Sequence, residues 1–499
     1  MNLKRRFVVY GLLLLMVLFA VFFSVSVFGM TSLRLDEAQS LFQTNRDVPG
    51  MLNLIAQDVH VPFYHTLLHF WQLLFGQDIF VARMLSLVFF VGTILMTYIL
   101  GTYALGRRSV GLFAAFLVTI SPFMNWYGSE ARMYTMLAFM TVLHVYFFIK
   151  VIRVGGTNNW ILWTFTAIMG LYTHYFFLFV LLSEFIAMLA LRKQFTGSHP
   201  VRNMLMYGAV AGLSLVPWLL YVKSLGFASN TQPSLGVPSA GDLFDTYAQF
   251  IFGFQVPAVN TLIISLWPIV VLLAFFALQH TRKKIPKEIT VFVLLATIPV
   301  LSAFVISITL KPFYLSRYLI VALPVLFIFI AWILTRYRRR IARTVGVIMV
   351  VVIGILFTVQ VISPNTPVKE DYRDAVQYLE NNAGSSDVIV LAAPFTIYPV
   401  EYYYKGTAKI TTQPIWDRFK SGSVPGFDSK KVAEQTKENV SSYQHAWLML
   451  SYDQGYNKDL KDYYDGQYQK VSEHQFSPGL SVYEYRIRYD APLTVSDGQ

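Results

Sequence analysis

The chain contains no cysteine, which removes disulfide frameworks, thiolate nucleophiles and cysteine metal sites from consideration. Charge is scarce as well, at 14% of 499 residues, and only ten acidic residues precede Pro364. Several chemical signatures are missing: residues 364–499 hold no Gly-rich phosphate loop and no nucleophile elbow, and the histidine pair before them lacks the His-Glu-x-x-His pattern of a zinc protease. His65 and His69 stand four apart but lack the intervening Glu. No self-similarity appears at a period of roughly 20–50 residues, so repeat architectures are set aside. What fills the chain instead is apolar: 55% hydrophobic residues and a mean hydropathy of +0.50 define a polytopic α-helical membrane protein.

Apolar windows at 7–30, 80–103, 109–124, 131–150, 160–173, 174–191, 203–222, 260–279, 288–310, 317–335 and 344–363 predict about eleven transmembrane helices. The first exceeds the roughly 7–15 residues of a signal-peptide core and reads as a retained anchor. Residues 1–363 hold 26 Lys and Arg against 10 Asp and Glu, whereas 364–499 hold 14 against 18. The positive charge sits in loops beside the spans, so it reports topology rather than nucleic-acid binding. With the N-terminus in the cytoplasm, one face receives the clusters Lys4 to Arg6, Arg107 and Arg108, Lys150 and Arg153, Arg192 to Arg202, Arg282 to Lys287, and Arg336 to Arg343. Nine of the ten early carboxylates then fall on or toward the outside, and only Glu288 is clearly inside. Glu184, deep in its window, has no partner that the sequence identifies.

The stretch from Asp36 to Pro62 concentrates polar groups beside the first span: Asp36, Glu37, Asp47, Asp58 and His60. It belongs to a first external loop, 31–79, whose run FYHTLLHFWQLLF (63–75) suits an amphipathic helix lying in the interface. A second long external loop, 223–259, is rich in Gly, Pro, Ser and Asn and is expected to be mobile. After Pro364 the pattern changes. DYRDAVQYLENN reads as a helix, VIVLAA (388–393) as a buried strand, DSKKVAEQTKENVSSY as a helix and AWLMLSY (446–452) as another strand. Two domains follow: a membrane domain over 1–363, and a small extracytoplasmic α/β domain over 364–499 with a binding or structural role.

Six motifs occur in order: LRLDEAQS (33–40), DVHVPFYHTLLHFW (58–71), FVARMLS (80–86), SPFMNWYGSEARMYTM (121–136), LYTHYF (171–176) and FYLSRYLIVALP (313–324). Together they resemble the GT-C glycosyltransferases of the family 39 type, the group of protein O-mannosyltransferases and lipid A aminoarabinose transferases that use polyprenyl-phosphate sugars at the outer face of a membrane. The resemblance covers about the first 335 residues, and KEDYRDAVQYLENN resembles the start of the external domain in many bacterial members. It implies a catalytic Asp at Asp36 with Glu37 beside it, and carrier-phosphate contacts at His60, Arg132 and Arg317. Glu130 and His174, within the same motifs, are grouped with them. His60 stands in His60-Val61-Pro62, one proline short of the family's His-Pro-Pro. No metal and no cofactor are implied. The expected partners are a polyprenyl-phosphate sugar, an extracytoplasmic acceptor (protein, lipid or cell-envelope glycan) and the bilayer.

The reaction itself asks for the same inventory. Transfer from a lipid phosphate needs one base for the acceptor hydroxyl, in-line space at the anomeric carbon, and cations on the departing phosphate. A phosphate leaves without the carboxylic acid that a glycosidase supplies. Other readings of the same residues stand beside this one: Asp36 as a helix N-cap, Arg132 and Arg317 as snorkelling side chains at helix ends, and the histidines as interfacial packing. A transporter with an external domain predicts repeated halves and mid-bilayer ionisable groups. A non-catalytic envelope-assembly subunit predicts a dispensable Asp36.

Overall fold

Long apolar runs with few charges satisfy their backbone only as helices when no water is at hand, and the membrane part of the chain is built that way. The computed structural model describes residues 3–487 apart from 59, 195, 197–198, 226–234, much of 267–284, 364–365 and 419–423. Among the described residues seven helices are long and apolar enough to cross a membrane: Arg6–Met30, Ile79–Leu105, Tyr134–Arg153, Pro200–Ser224, Lys287–Thr309, Ser316–Leu334 and Arg339–Ile362. The number rises to nine if two bent pairs each form one span, Arg108–Ile120 with Pro122–Gly128 and Ala240–Phe252 with Pro257–Ser265. The protein is a multi-pass membrane protein.

Two of the expected spans are shorter than a bilayer needs. The windows 160–173 and 174–191 correspond to helices Thr157–Thr173 and Phe177–Leu191, separated by His174 in extended conformation (φ −163°, ψ 137°). At ~1.5 Å per residue neither reaches the ~30 Å of a hydrocarbon core. The window 260–279 runs into undescribed residues, and Arg282, Lys283 and Lys284 lie outside the described residues. The segment 223–259 is not simply a loop. Ser239 and Asp242 form a capping box that starts the helix Ala240–Phe252 within it.

The chain divides into two compact units. One comprises Met1–Met30, Gln43–Phe227 and Ser234–Pro367; the other gathers Thr31–Phe42 with the chain from Val368 onward. In the first unit Glu184 has its partners: Nε2 of His144 lies 3.0 Å away and the indole of Trp163 donates to the same carboxylate at 2.7 Å. The other ring nitrogen of His144 meets Thr166 Oγ1 at 2.9 Å. Glu288 accepts from Arg153 Nε at 2.7 Å, and the same guanidinium donates to the carbonyls of Tyr103 and Ala104.

The second unit carries a five-stranded sheet of order β2-β1-β3-β5-β4, from β1 (Val388–Ala392), β2 (Lys409–Gln413), β3 (His445–Leu450), β4 (Gln469–Ser477) and β5 (Leu480–Arg486). β1 runs parallel to β2 and β3, and β5 runs antiparallel to β3 and β4. Alternation along β1 sends Ile389 and Leu391 into one core with Leu379 and Trp447, and Val388 and Val390 into the opposite core with Leu460 and Tyr485. Both faces are covered, which is why this strand reads as an unbroken apolar run.

Candidate active site

Asp36 and Glu37 open the helix Leu35–Thr44, in its first turn, where negative charge is favoured by the helix dipole. The carbonyl of Arg34 accepts from Ala38 N–H at 2.9 Å, and Glu37 reaches back to accept from the Arg34 amide at 3.0 Å. That is the reciprocal half of a capping box, and it leaves Glu37 fully buried. Asp36, about 100° around the helix, is only partly buried. The two carboxylates therefore have different surroundings: one is tied to the helix start and the other is partly open.

The backbone leading to Asp36 is held within the same unit. Leu33 N–H donates to the Tyr403 hydroxyl at 2.9 Å, Arg373 N–H donates to Ser32 Oγ at 3.1 Å, and the Arg373 guanidinium donates to the Thr31 carbonyl at 3.3 Å. Further along, the ring of Phe42 lies 4.9 Å from Tyr398, and Arg418 stands 4.6 Å over Phe42 while pairing with Glu401.

The first unit collects the cations. An Nη of Arg132 lies 2.9 Å from His60 Nε2, which is 3.8 Å from Asp58 Oδ2. Asp58 also accepts from Gln43 at 3.1 Å. His65 stacks on His60 at 5.7 Å, and burial, then His60 and Arg132, hold its pKa well below the usual histidine value. His65 therefore stays neutral, and positive charge at this end rests on the arginines. Gly128 ends a helix so close to Phe90 that a Cβ would stand 2.7 Å from the ring; the chain then turns through the segment carrying Glu130 and Arg132. Ser86 donates to the Arg132 carbonyl at 3.2 Å and Thr135 donates back to Ser86, which fixes that turn.

Arg317 enters from the turn Ser316–Ala322, with its guanidinium 5.4 Å over Tyr318 and 5.9 Å over Tyr134. Tyr318 lies 5.0 Å from His174, whose Nδ1 accepts from Phe176 N–H and so leaves the proton on Nε2. His60, Arg132 and Arg317 all act electrostatically on His174, so these four predicted residues share one place. Glu130 is buried beside them in sequence and its carbonyl accepts from the Arg132 amide at 2.7 Å. Sequence reasoning missed Tyr134 and Tyr318. The signal was local: in SEARMY and SRYL a tyrosine follows each arginine within two residues, and guanidinium groups favour aromatic faces.

The fold is that of a GT-C glycosyltransferase, in a multi-pass membrane protein. The chain is similar to ArnT from Cupriavidus metallidurans bound to undecaprenyl phosphate, at 13% identity and a TM-score of 0.60 over 95% of this chain and 98% of that one. It is similar to the apo state of that ArnT at 12% identity and a TM-score of 0.62 with the same coverage. The arabinofuranosyltransferase AftD from mycobacteria matches 97% of this chain at 13% identity and a TM-score of 0.53, over 42% of AftD's length. No protein-family model matches the chain, and no curated protein does. At these identities the likeness establishes the fold.

Proposed function

We propose that the protein is a glycosyltransferase of the family 39 type that moves one sugar, with inversion, from a polyprenyl-phosphate donor to an extracytoplasmic acceptor. The observation that carries this reading is the group formed by the buried His60, Arg132 and His174 and the half-buried Arg317 in a chain of this fold. Guanidinium groups suit a lipid phosphate: they remain charged when desolvated and offer fixed pairs of donors. Tyr134 and Tyr318 hold the faces of Arg317 and leave its edge for the anion. Asp36 takes the acceptor proton, and the departing phosphate keeps the electron pair of the broken bond. The ArnT neighbour binds undecaprenyl phosphate, and that is the carrier class assigned to this chain.

The test is direct. Purified protein is incubated with undecaprenyl phosphate carrying mannose, glucose, galactosamine, arabinofuranose or aminoarabinose, and loss of donor is followed. Turnover of one donor is expected; inertness toward all of them, in folded protein that also fails to bind undecaprenyl phosphate, refutes the assignment. Excess chelator is expected to leave the rate nearly unchanged, because side-chain cations neutralise a single phosphate. Complete inhibition reversed by Mg²⁺ points instead to carboxylates holding an ion.

Orientation follows from the same reading: the basic loops face the cytoplasm, and the Asp36 segment and residues 364–499 lie outside. The cysteine-free chain permits single-cysteine mapping. Asp47→Cys is expected to react with an impermeant thiol reagent in intact cells and Arg338→Cys to stay protected. The reverse pattern overturns the topology.

A further inference from the structure

Five buried histidines occur among the described residues: His60, His65, His69, His144 and His174. Four of them have a ring nitrogen engaged: His60 with Arg132, His69 Nδ1 with the Thr44 carbonyl at 2.9 Å, His144 with Thr166 and Glu184, and His174 with the Phe176 amide. His65 differs. It is fully buried, and among the described residues neither of its ring nitrogens has a hydrogen-bond partner. The backbone of Val61, one turn back, acts on the ring but makes no hydrogen bond to it. A buried imidazole left unbonded is costly, and such a group asks for a partner from outside the chain.

Its position says which kind. The helix Phe63–Phe75 sets His65 against His60, with ring centroids 5.7 Å apart and planes 26° apart, and edge-on to Tyr64 at 5.6 Å. His60 in turn has Nε2 2.9 Å from an Nη of Arg132. The unbonded imidazole therefore stands one ring away from the guanidinium assigned to the carrier phosphate. The phosphodiester of a polyprenyl-phosphate sugar offers only acceptor oxygens, and a neutral imidazole has one N–H to give. Burial first, and then His60 and Arg132, keep His65 neutral, so it adds a donor without adding charge.

We propose that His65 is a further substrate-binding residue, whose neutral imidazole donates its N–H to the carrier phosphate held by Arg132. This rests on the reading of Arg132 as a phosphate ligand and deepens it. Full-length protein is titrated with undecaprenyl phosphate and, separately, with undecaprenol, which has the same chain and no phosphate. His65→Phe, or His65→Leu where the larger ring prevents folding, is expected to weaken undecaprenyl phosphate binding by about tenfold or more, the lost share of a hydrogen bond to a charged group. Undecaprenol binding should be unchanged. His65→Asn and His65→Gln place an amide donor near the positions of Nδ1 and Nε2, and one of them should recover part of the affinity. Unchanged undecaprenyl phosphate affinity in a folded apolar variant, with Arg132→Ala binding weakly, overturns the inference and leaves the phosphate site standing. An equal loss for undecaprenol, or recovery in neither amide variant, makes His65 a packing residue and overturns it too. Wild-type protein that does not bind undecaprenyl phosphate removes the site and the inference together.

Discussion

Asp36→Asn is expected to lower single-turnover transfer from preloaded donor by at least about two orders of magnitude, the lower end of what a lost general base costs, while donor binding and folding persist. Glu37→Gln is expected to behave differently. Adjacent helical residues point about 100° apart and do not share one acceptor proton. Glu37 is fully buried and accepts from the Arg34 amide, so its loss weakens the start of the helix by about 1 kcal/mol. The resemblance placed Glu37 beside the catalytic Asp; its geometry supports a capping role. If Asp36→Asn transfers at nearly the wild-type rate and Glu37→Gln does not, the assignment is reversed.

The second large effect belongs to the arginines. Arg132→Ala and Arg317→Ala should each weaken donor binding by about 1.5–3 kcal/mol, the range for a charge-assisted hydrogen bond lost from a partly desolvated site. Arg132→Ala also removes the partner 2.9 Å from His60, and Arg317→Ala vacates the faces of Tyr134 and Tyr318. Lysine at either position should rescue only partly, because a point charge lacks the planar fork. Titration of each variant with undecaprenyl phosphate reads this out. Unchanged affinity in a folded Arg317→Ala protein removes that residue from the site.

How much of this was legible in the residues depends on the range of the interaction. The helix Phe63–Phe75 was visible because its apolar residues repeat at helical spacing. The first strand of the C-terminal domain was visible because it is apolar throughout. Helix Ile397–Tyr403 and the hairpin β4–β5 were not: the first is one short turn sequence rich in tyrosine, and β4 is largely exposed and polar. Arg132 and Arg317 were legible by motif, but their sharing of one place with His174 joins residues 42 and 143 positions away from it, which no local pattern encodes. The grouping of residues 31–42 with the C-terminal part was invisible for the same reason.

The bonds of Glu184 to His144 and Trp163 bear on how the chain is made. A charge near the middle of a hydrophobic segment raises its apparent insertion free energy by about 2.5–3.5 kcal/mol, and Phe177–Leu191 is only 15 residues long. That segment is therefore a poor candidate for entering the bilayer by itself. Among the described residues its carboxylate finds its donors on the two helices synthesised just before it, Tyr134–Arg153 and Thr157–Thr173. Biosynthetic insertion of this region is accordingly expected to require the three helices together, the acidic segment partitioning into lipid as the third member of the group.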